Sequence, residues 1–194
     1  DKLYGMNSNG PSPEEISLEK VKKDHETMPV HGWTPVTVPG APQGWASLSK
    51  RFGKLTLLEC LTPAIQYAEN GFPVAANTAK MWKRAYERNL NLYGDKKEFQ
   101  EWFNTFTFDG KPPEPFQIVK LPNHAKTLRL IGETQGEAFY KGNLADQIEA
   151  DSLAHNGYLR KKDLEALESA WVEPLSVNYR GYDVVELPPS GQGM

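Results

Sequence analysis

Turn-forming residues punctuate this chain. Gly53, Asn70-Gly71, Gly94 and Asn156-Gly157 each follow a stretch whose apolar residues recur at helical spacing. The polypeptide is thereby committed to a succession of short amphipathic helices, because each stripe has to be buried and each helix stops where a left-handed or flexible residue ends it. Helices are expected over residues 18–24 with Ser17 as N-cap, 41–52, and from Thr56 to Asn70. The last of these carries a Thr56/Glu59 capping box and Pro63 inside it, which predicts a kink or a later start. Further helical segments are expected over residues 74–92, 96–103, 123–134, 143–155 and 161–169. In the second helix Trp45, Leu48 and Phe52 form one apolar stripe. In the third, Leu57, Leu58, Leu61, Ala64, Ile65 and Ala68 supply the buried face.

The period changes near the C-terminus. Residues 171–179 and 182–187 read as strands that flank the two-residue Arg180-Gly181, the spacing of a tight hairpin. Residues 35–39 form an extended piece and 116–119 a weak strand. Residues 104–121, with Pro112, Pro113 and Pro115, are the most linker-like part, yet nothing there warrants a domain cut. The fold class is α+β: a mainly helical segment with a C-terminal β-hairpin, taken as a single fragment over residues 1–194.

Composition narrows the function classes. Hydrophobic content of 39% allows a core, into which most of the five Trp, eight Phe and eight Tyr should go. The 22 basic residues are spread among 25 acidic ones with a net charge of −3, which argues against a nucleic-acid partner. The run from Lys20 to Lys23 reads as a solvated helix face. Cys60 is the single cysteine, so no intrachain disulfide forms, and its apolar neighbours suggest a buried thiol. No apolar run approaches the length of a membrane span.

Conventional catalytic signatures are absent. His25, His31, His124 and His155 lack metal-ligand spacing, and no GxSxG, GxxxxGK[ST] or GxGxxG occurs. The pairs Asp24/Glu26 and Glu149/Asp151 are two residues apart, which sends their side chains to different helix faces. On the residues alone the chain is a helical domain with a hairpin. A non-enzymatic interaction module and a hydrolase acting within this chain both stay open.

Longer strings carry more. Val38-Pro39-Gly40-Ala41-Pro42-Gln43-Gly44-Trp45, Arg51-Phe52-Gly53-Lys54-Leu55 and Leu61-Thr62-Pro63-Ala64-Ile65-Gln66-Tyr67-Ala68-Glu69-Asn70-Gly71-Phe72-Pro73-Val74 resemble the γ-glutamyltranspeptidase family. So do Gly136-Glu137-Ala138-Phe139-Tyr140-Lys141-Gly142, Trp171-Val172-Glu173-Pro174-Leu175, Tyr179-Arg180-Gly181-Tyr182 and Leu187-Pro188-Pro189-Ser190-Gly191-Gln192-Gly193, in the same order, with a gap over residues 80–120. Most of these residues read as scaffold. Pro39-Gly40 allows a sharp corner into a helix, and Gly44 allows that helix to approach a neighbour closely.

The resemblance implies an internal piece of the larger subunit of an N-terminal-nucleophile amidohydrolase with an αββα sandwich. Such a precursor cleaves itself before a Thr, whose hydroxyl then attacks the substrate amide without metal or organic cofactor. That Thr would lie outside this chain, so catalytic residues are expected elsewhere. The partners implied are the rest of the large subunit, the small subunit and a small γ-glutamyl or related acyl amide. The implied location is periplasmic or extracellular, with a cytoplasmic one left open by the residues. Residues 1–5 read as the end of a strand, and 191–194 as the start of an element.

Two places bear on substrate. The family holds the γ-glutamyl α-carboxylate with an Arg just upstream of an Ala-Pro pair, and aligning that Pro on Pro13 puts Asn9, four residues back, in the Arg's place. This departure from the family's pattern puts γ-glutamyl recognition in doubt and points to an acylase-like member with a different acyl group. Ser190 and Gly191, at a strand-to-helix turn, are the other candidate substrate-binding residues.

Overall fold

The computed structural model describes residues 2–191. They divide into two compact units, one formed by residues 2–57 and 134–191 and the other by residues 58–133. The fold is mixed α and β, with about half its residues helical and its strands in small antiparallel pairs.

In the first unit, β1 (Gly5–Asn7) pairs antiparallel with β2 (Ala170–Val172), matching Gly5 to Val172 and Asn7 to Ala170. Helix α1 (Leu18–Asp24) starts at Ser17, whose hydroxyl accepts from the Lys20 N–H as its N-cap position requires. Its lysines Lys20, Lys22 and Lys23 are exposed. Helix α2 (Ala41–Phe52) has the expected bounds and opens with Pro42 in its first turn. Three further helices, α3 (Glu137–Tyr140), α4 (Asn143–Ala154) and α5 (Lys161–Glu165), build the core with residues 33–38, which turn at Thr34-Pro35. Val38, Tyr140, Ala145, Leu159 and Leu164 are almost fully buried there, with Trp33, Val36, Phe139 and Ile148 packed around them. Each buried Val or Leu among them contributes roughly 1.5–3 kcal/mol of hydrophobic stabilisation. The hairpin joins β3 (Leu175–Tyr179) to β4 (Tyr182–Glu186) through Arg180 at φ 53° and Gly181 at φ 85°. Two successive positive φ values match a type I′ turn, whose twist suits flanking antiparallel strands.

The second unit contains α6 (Leu57–Asn70), which begins at the unit boundary, α7 (Ala76–Tyr93), α8 (Gln100–Phe106), preceded by a short 3-10 turn, and α9 (Pro122–Glu133). Two-residue strands β5 (Phe72–Pro73) and β6 (Ile118–Val119) pair antiparallel. Ile65, Ala68 and Ala125 form one buried group, and Val74, Ala79 and Val119 another. The proline-rich stretch is fixed by backbone bonds, Phe116 N–H to the Val74 carbonyl at 2.7 Å and Val74 N–H to the Gln117 carbonyl at 3.0 Å.

Several expectations need correction. The strand expected over residues 171–179 is two strands, because Pro174 has no N–H to donate. The chain therefore leaves β1 at Val172 and re-pairs with β4 from Leu175. The helix expected to reach Ser169 stops at Glu165, since Ala170 is already in β2. Helix α6 keeps Pro63 inside it without a delayed start, and the Thr62 hydroxyl donates to the Leu58 carbonyl at 2.8 Å. Cys60 is exposed: at 100° per residue it points away from the arc holding Leu57, Leu61, Ile65 and Ala68, and Ala64 lies outside that arc too.

The aromatic residues differ most from expectation. Tyr140 alone among the described Trp, Phe and Tyr side chains is fully buried. The Trp45, Leu48 and Phe52 stripe of α2 is 41–48% exposed, and this helix buries Pro42 and Gly44 instead. Both faces of the β3–β4 ribbon are open, with Leu175, Val177 and Tyr179 and their neighbours Tyr182, Val184 and Val185 all exposed. The helix expected after Gly191 lies outside the described residues.

Candidate functional site

The loop after β1 is built by close backbone contact. A Cβ on Gly10 would sit 1.6 Å from the Val38 carbonyl oxygen, and one on Gly40 would sit 1.7 Å from that of Ser8. Only glycine fits at either crossing. The Ser8 hydroxyl donates to the Gly40 carbonyl at 2.9 Å and lies 2.8 Å from the Ser169 hydroxyl, while Val38 N–H donates to the Pro11 carbonyl at 3.0 Å. Across the same corner Tyr140 donates its hydroxyl hydrogen to the Pro39 carbonyl at 2.7 Å and accepts from Gln43 N–H at 3.0 Å. Burial pushes the Tyr140 phenol up to about 12. The Pro39-Gly40 corner and the close approach at Gly44, whose Cβ would lie 3.2 Å from Ser8, serve the scaffold as the sequence implies.

This corner fixes Asn9. Its backbone N–H donates to the Asn7 side-chain oxygen at 2.8 Å, an Asx turn, and its side-chain amide donates to the Ser190 hydroxyl. Asn9 and Ser190, singled out separately, are thus brought together although they are 181 positions apart in the sequence. Both are exposed. Gly191 follows Ser190 and stands beside the Glu186 carboxylate, a Cβ there being 3.5 Å from it.

Asn9 also lines a cleft of about 460 Å³ with Ser12, Glu14, Lys162, Asp163 and Leu167. Lys162 holds Glu14 at 2.8 Å and lies 3.7 Å from Glu15, and the Glu14 hydrogen bond, reinforced by the surrounding carboxylates, raises the lysine's pKa. Asp163 is at the third position of α5, where one carboxylate oxygen accepts from Arg160 N–H at 2.8 Å and the other from Glu14 N–H at 3.0 Å. Arg160 pairs with Glu15 at 3.0 Å and donates to the Gly157 carbonyl at 2.7 Å. Lys162 is therefore the cation beside Asn9, already held by two carboxylates. Nothing near Lys162 in sequence signals this, because its partners lie about 150 residues away.

The site can donate and accept neutral hydrogen bonds, and its charged wall favours cations or neutral groups over carboxylates. Among the described residues no group of three or more His, Cys, Asp or Glu could hold a metal ion. The carboxylates set aside as acid/base pairs are structural: Glu149 accepts from Lys161 N–H at 3.0 Å and Asp151 from Trp33 Nε1 at 3.0 Å. His155 sits 3.3 Å from Asp151 at the end of α4.

Comparison with known proteins gives the family of the chain. The chain is 34% identical over 193 residues to the glutathione hydrolase-like YwrD proenzyme of Bacillus subtilis (strain 168), covering 99% of this chain and 35% of that protein. The crystal structure of a cephalosporin acylase from Bacillus halodurans superposes with a TM-score of 0.94 at 47% identity, over 97% of this chain and 35% of the other. Helicobacter pylori γ-glutamyltranspeptidase superposes with a TM-score of 0.82 at 26% identity, over 96% of this chain and 53% of the other. The chain spans about a third of the length of the curated relatives it matches. The sequence profile described as Gamma-glutamyltranspeptidase matches residues 1–194, and by that match the chain belongs to the γ-glutamyltranspeptidase family.

Proposed function

We propose that this chain is a non-catalytic part of the larger subunit of an acylase-like amidohydrolase precursor, whose nucleophilic N-terminal Thr is supplied by polypeptide outside it. The observation that carries this reading is a family match along all 194 residues, combined with coverage of only 35% of the first relative's length. The relatives are named as proenzymes, glutathione hydrolases and acylases, which accords with a precursor that is cut to become active. The open apolar faces of α2 and of the β3–β4 ribbon fit the same reading. The ribbon gathers Leu175, Val177, Tyr179, Tyr182 and Val184 on one face, and a two-stranded ribbon with an open apolar face needs cover to be stable in water. The partners are then the remaining large-subunit polypeptide and the small subunit.

The acyl group is proposed to differ from γ-glutamyl. Aligned on Pro13, Asn9 takes the place of the family's carboxylate-binding Arg, and the one basic side chain that the described residues bring to the adjacent cleft, Lys162, is held by Glu14 and Glu15. An amide in place of a bidentate guanidinium weakens carboxylate binding by roughly 2 kcal/mol. The cephalosporin acylase is nearer to this chain in sequence and backbone than the Helicobacter pylori transpeptidase, which supports the acylase side.

The test compares γ-glutamyl-p-nitroanilide with an acyl p-nitroanilide of equal chain length and no α-carboxylate, using the full-length protein. Faster turnover of the second is expected. Robust, saturable turnover confined to the γ-glutamyl compound refutes the acyl assignment.

A further inference from the structure

Helix α7 concentrates positive charge in a chain that is negative overall. The chain carries a net −3, yet α7 holds Lys80, Lys83, Arg84 and Arg88 against a single acid, Glu87. Winding at 100° per residue puts Lys80, Arg84 and Arg88 in one row on the outer face, with Asn77 and Asn91 in the same arc. The basic residues that look dispersed in sequence are in this helix gathered into a stripe.

All four are exposed, and none makes an ion pair among the described residues. The polar contacts of the two arginines are slight: Arg84 lies 4.0 Å from the Met81 sulfur and Arg88 donates to the Asn89 side chain at 3.3 Å. Like charges four residues apart on a helix repel, and Glu87 at the margin of the row is the single acid that this helix sets against them. The opposite face of α7 is occupied: Ala79 is buried, Trp82 donates to the Phe106 carbonyl at 2.8 Å, and Tyr86 donates to that of Gly110 at 3.1 Å. The exposed apolar side chains of α7 are Met81 and Leu92 at the margin of the row and Leu90 across the helix, short of the broad apolar face that a lipid surface needs.

We propose that the Lys80–Arg84–Arg88 row docks an acidic polypeptide segment in extended conformation. Cations four residues apart on a helix repeat every ~6 Å along its axis. Same-side residues of an extended chain repeat every ~6.6 Å. Carboxylates at alternate positions of such a segment meet the three cations in register, while Asn77 and Asn91 offer amides to its backbone. The proposal concerns a surface with no residue of the Asn9–Ser190 site and stands independently of the acyl assignment.

The test uses full-length protein and a fluorescein-labelled peptide of alternating Glu and Ser, read by fluorescence anisotropy. Wild type binds and weakens as salt rises. Lys80→Glu/Arg84→Glu/Arg88→Glu binds on the order of tenfold more weakly or worse, and Lys80→Gln/Arg84→Gln/Arg88→Gln falls between the two with an unchanged circular-dichroism spectrum. Absence of binding by wild type, equal binding by the charge-reversed protein, or tighter, α7-dependent binding to phosphatidylserine vesicles or an oligonucleotide overturns the proposal.

Discussion

Replacing Gly10 with Ala tests whether the loop carrying Asn9 is held by backbone contact. The added methyl would lie 1.6 Å from the Val38 carbonyl oxygen and 2.5 Å from its carbon. Ordinary contact requires a displacement of roughly 2 Å. Val38 cannot move that far without loss, because its N–H is tied to the Pro11 carbonyl at 3.0 Å and its side chain is 1% exposed in the core. Overpacking costs about 1–3 kcal/mol and a lost backbone hydrogen bond about 1 kcal/mol more, giving a total of about 3 kcal/mol. For a cooperative unit of this size that lowers the unfolding midpoint by roughly 6–12 °C in a thermal melt. Gly181→Ala is the matched control. No atom lies within 4 Å of its Cβ position and its φ of +85° imposes only backbone strain, about 1 kcal/mol. If Gly10→Ala melts within a degree of Gly181→Ala, the loop is not held as described and the placement of Asn9 against Ser190 loses its basis.

Tyr140→Phe removes a donor to Pro39 and an acceptor for Gln43, and is expected to destabilise by about 1–3 kcal/mol in urea unfolding. The phenol's folded pKa, about 12, lies above its ordinary value of 10, so this contribution is full below pH 10 and is lost as pH rises toward 12. Alkaline unfolding of wild type against Tyr140→Phe reads that window, and parallel profiles would contradict it. Asn9→Arg, which restores a guanidinium at the candidate carboxylate position, should raise kcat/KM for γ-glutamyl-p-nitroanilide by about 10- to 30-fold. No change would remove Asn9 from the substrate site. Arg180→Gly relieves a positive φ of 53° in the hairpin turn and should stabilise by about 0.5–1 kcal/mol, measurable as a shifted urea midpoint.

Much of the helical framework was legible because its signals are local. The Ser17 cap, the bounds of the helix at Ala41–Phe52 and the stops at Asn70-Gly71 and Asn156-Gly157 each depend on residues within one turn. The Arg180-Gly181 turn is of the same kind. What escaped was relational. Pro174 reads as a residue within one strand until the chain reaches β1, 165 or more residues earlier, and pairs with it before the proline. The stripe on α2 reads as core, yet small Pro42 and Gly44 make the contact and the large side chains face outward. Cys60 shares its neighbours' sequence but not their helix face. Of the candidate site, the family resemblance pointed to Asn9 and Ser190, but their hydrogen bond and the Lys162–Glu14 wall join distant segments that no local pattern connects.

The central claim is that the working threonine belongs to polypeptide outside these residues. Intact-mass and N-terminal analysis of the full-length protein after purification tests it directly. The account predicts two polypeptides, one containing all of residues 1–194 and the other beginning with Thr, with acyl-amide hydrolysis appearing as they form. A single uncut chain that hydrolyses the amide, or hydrolysis by residues 1–194 alone, would contradict it.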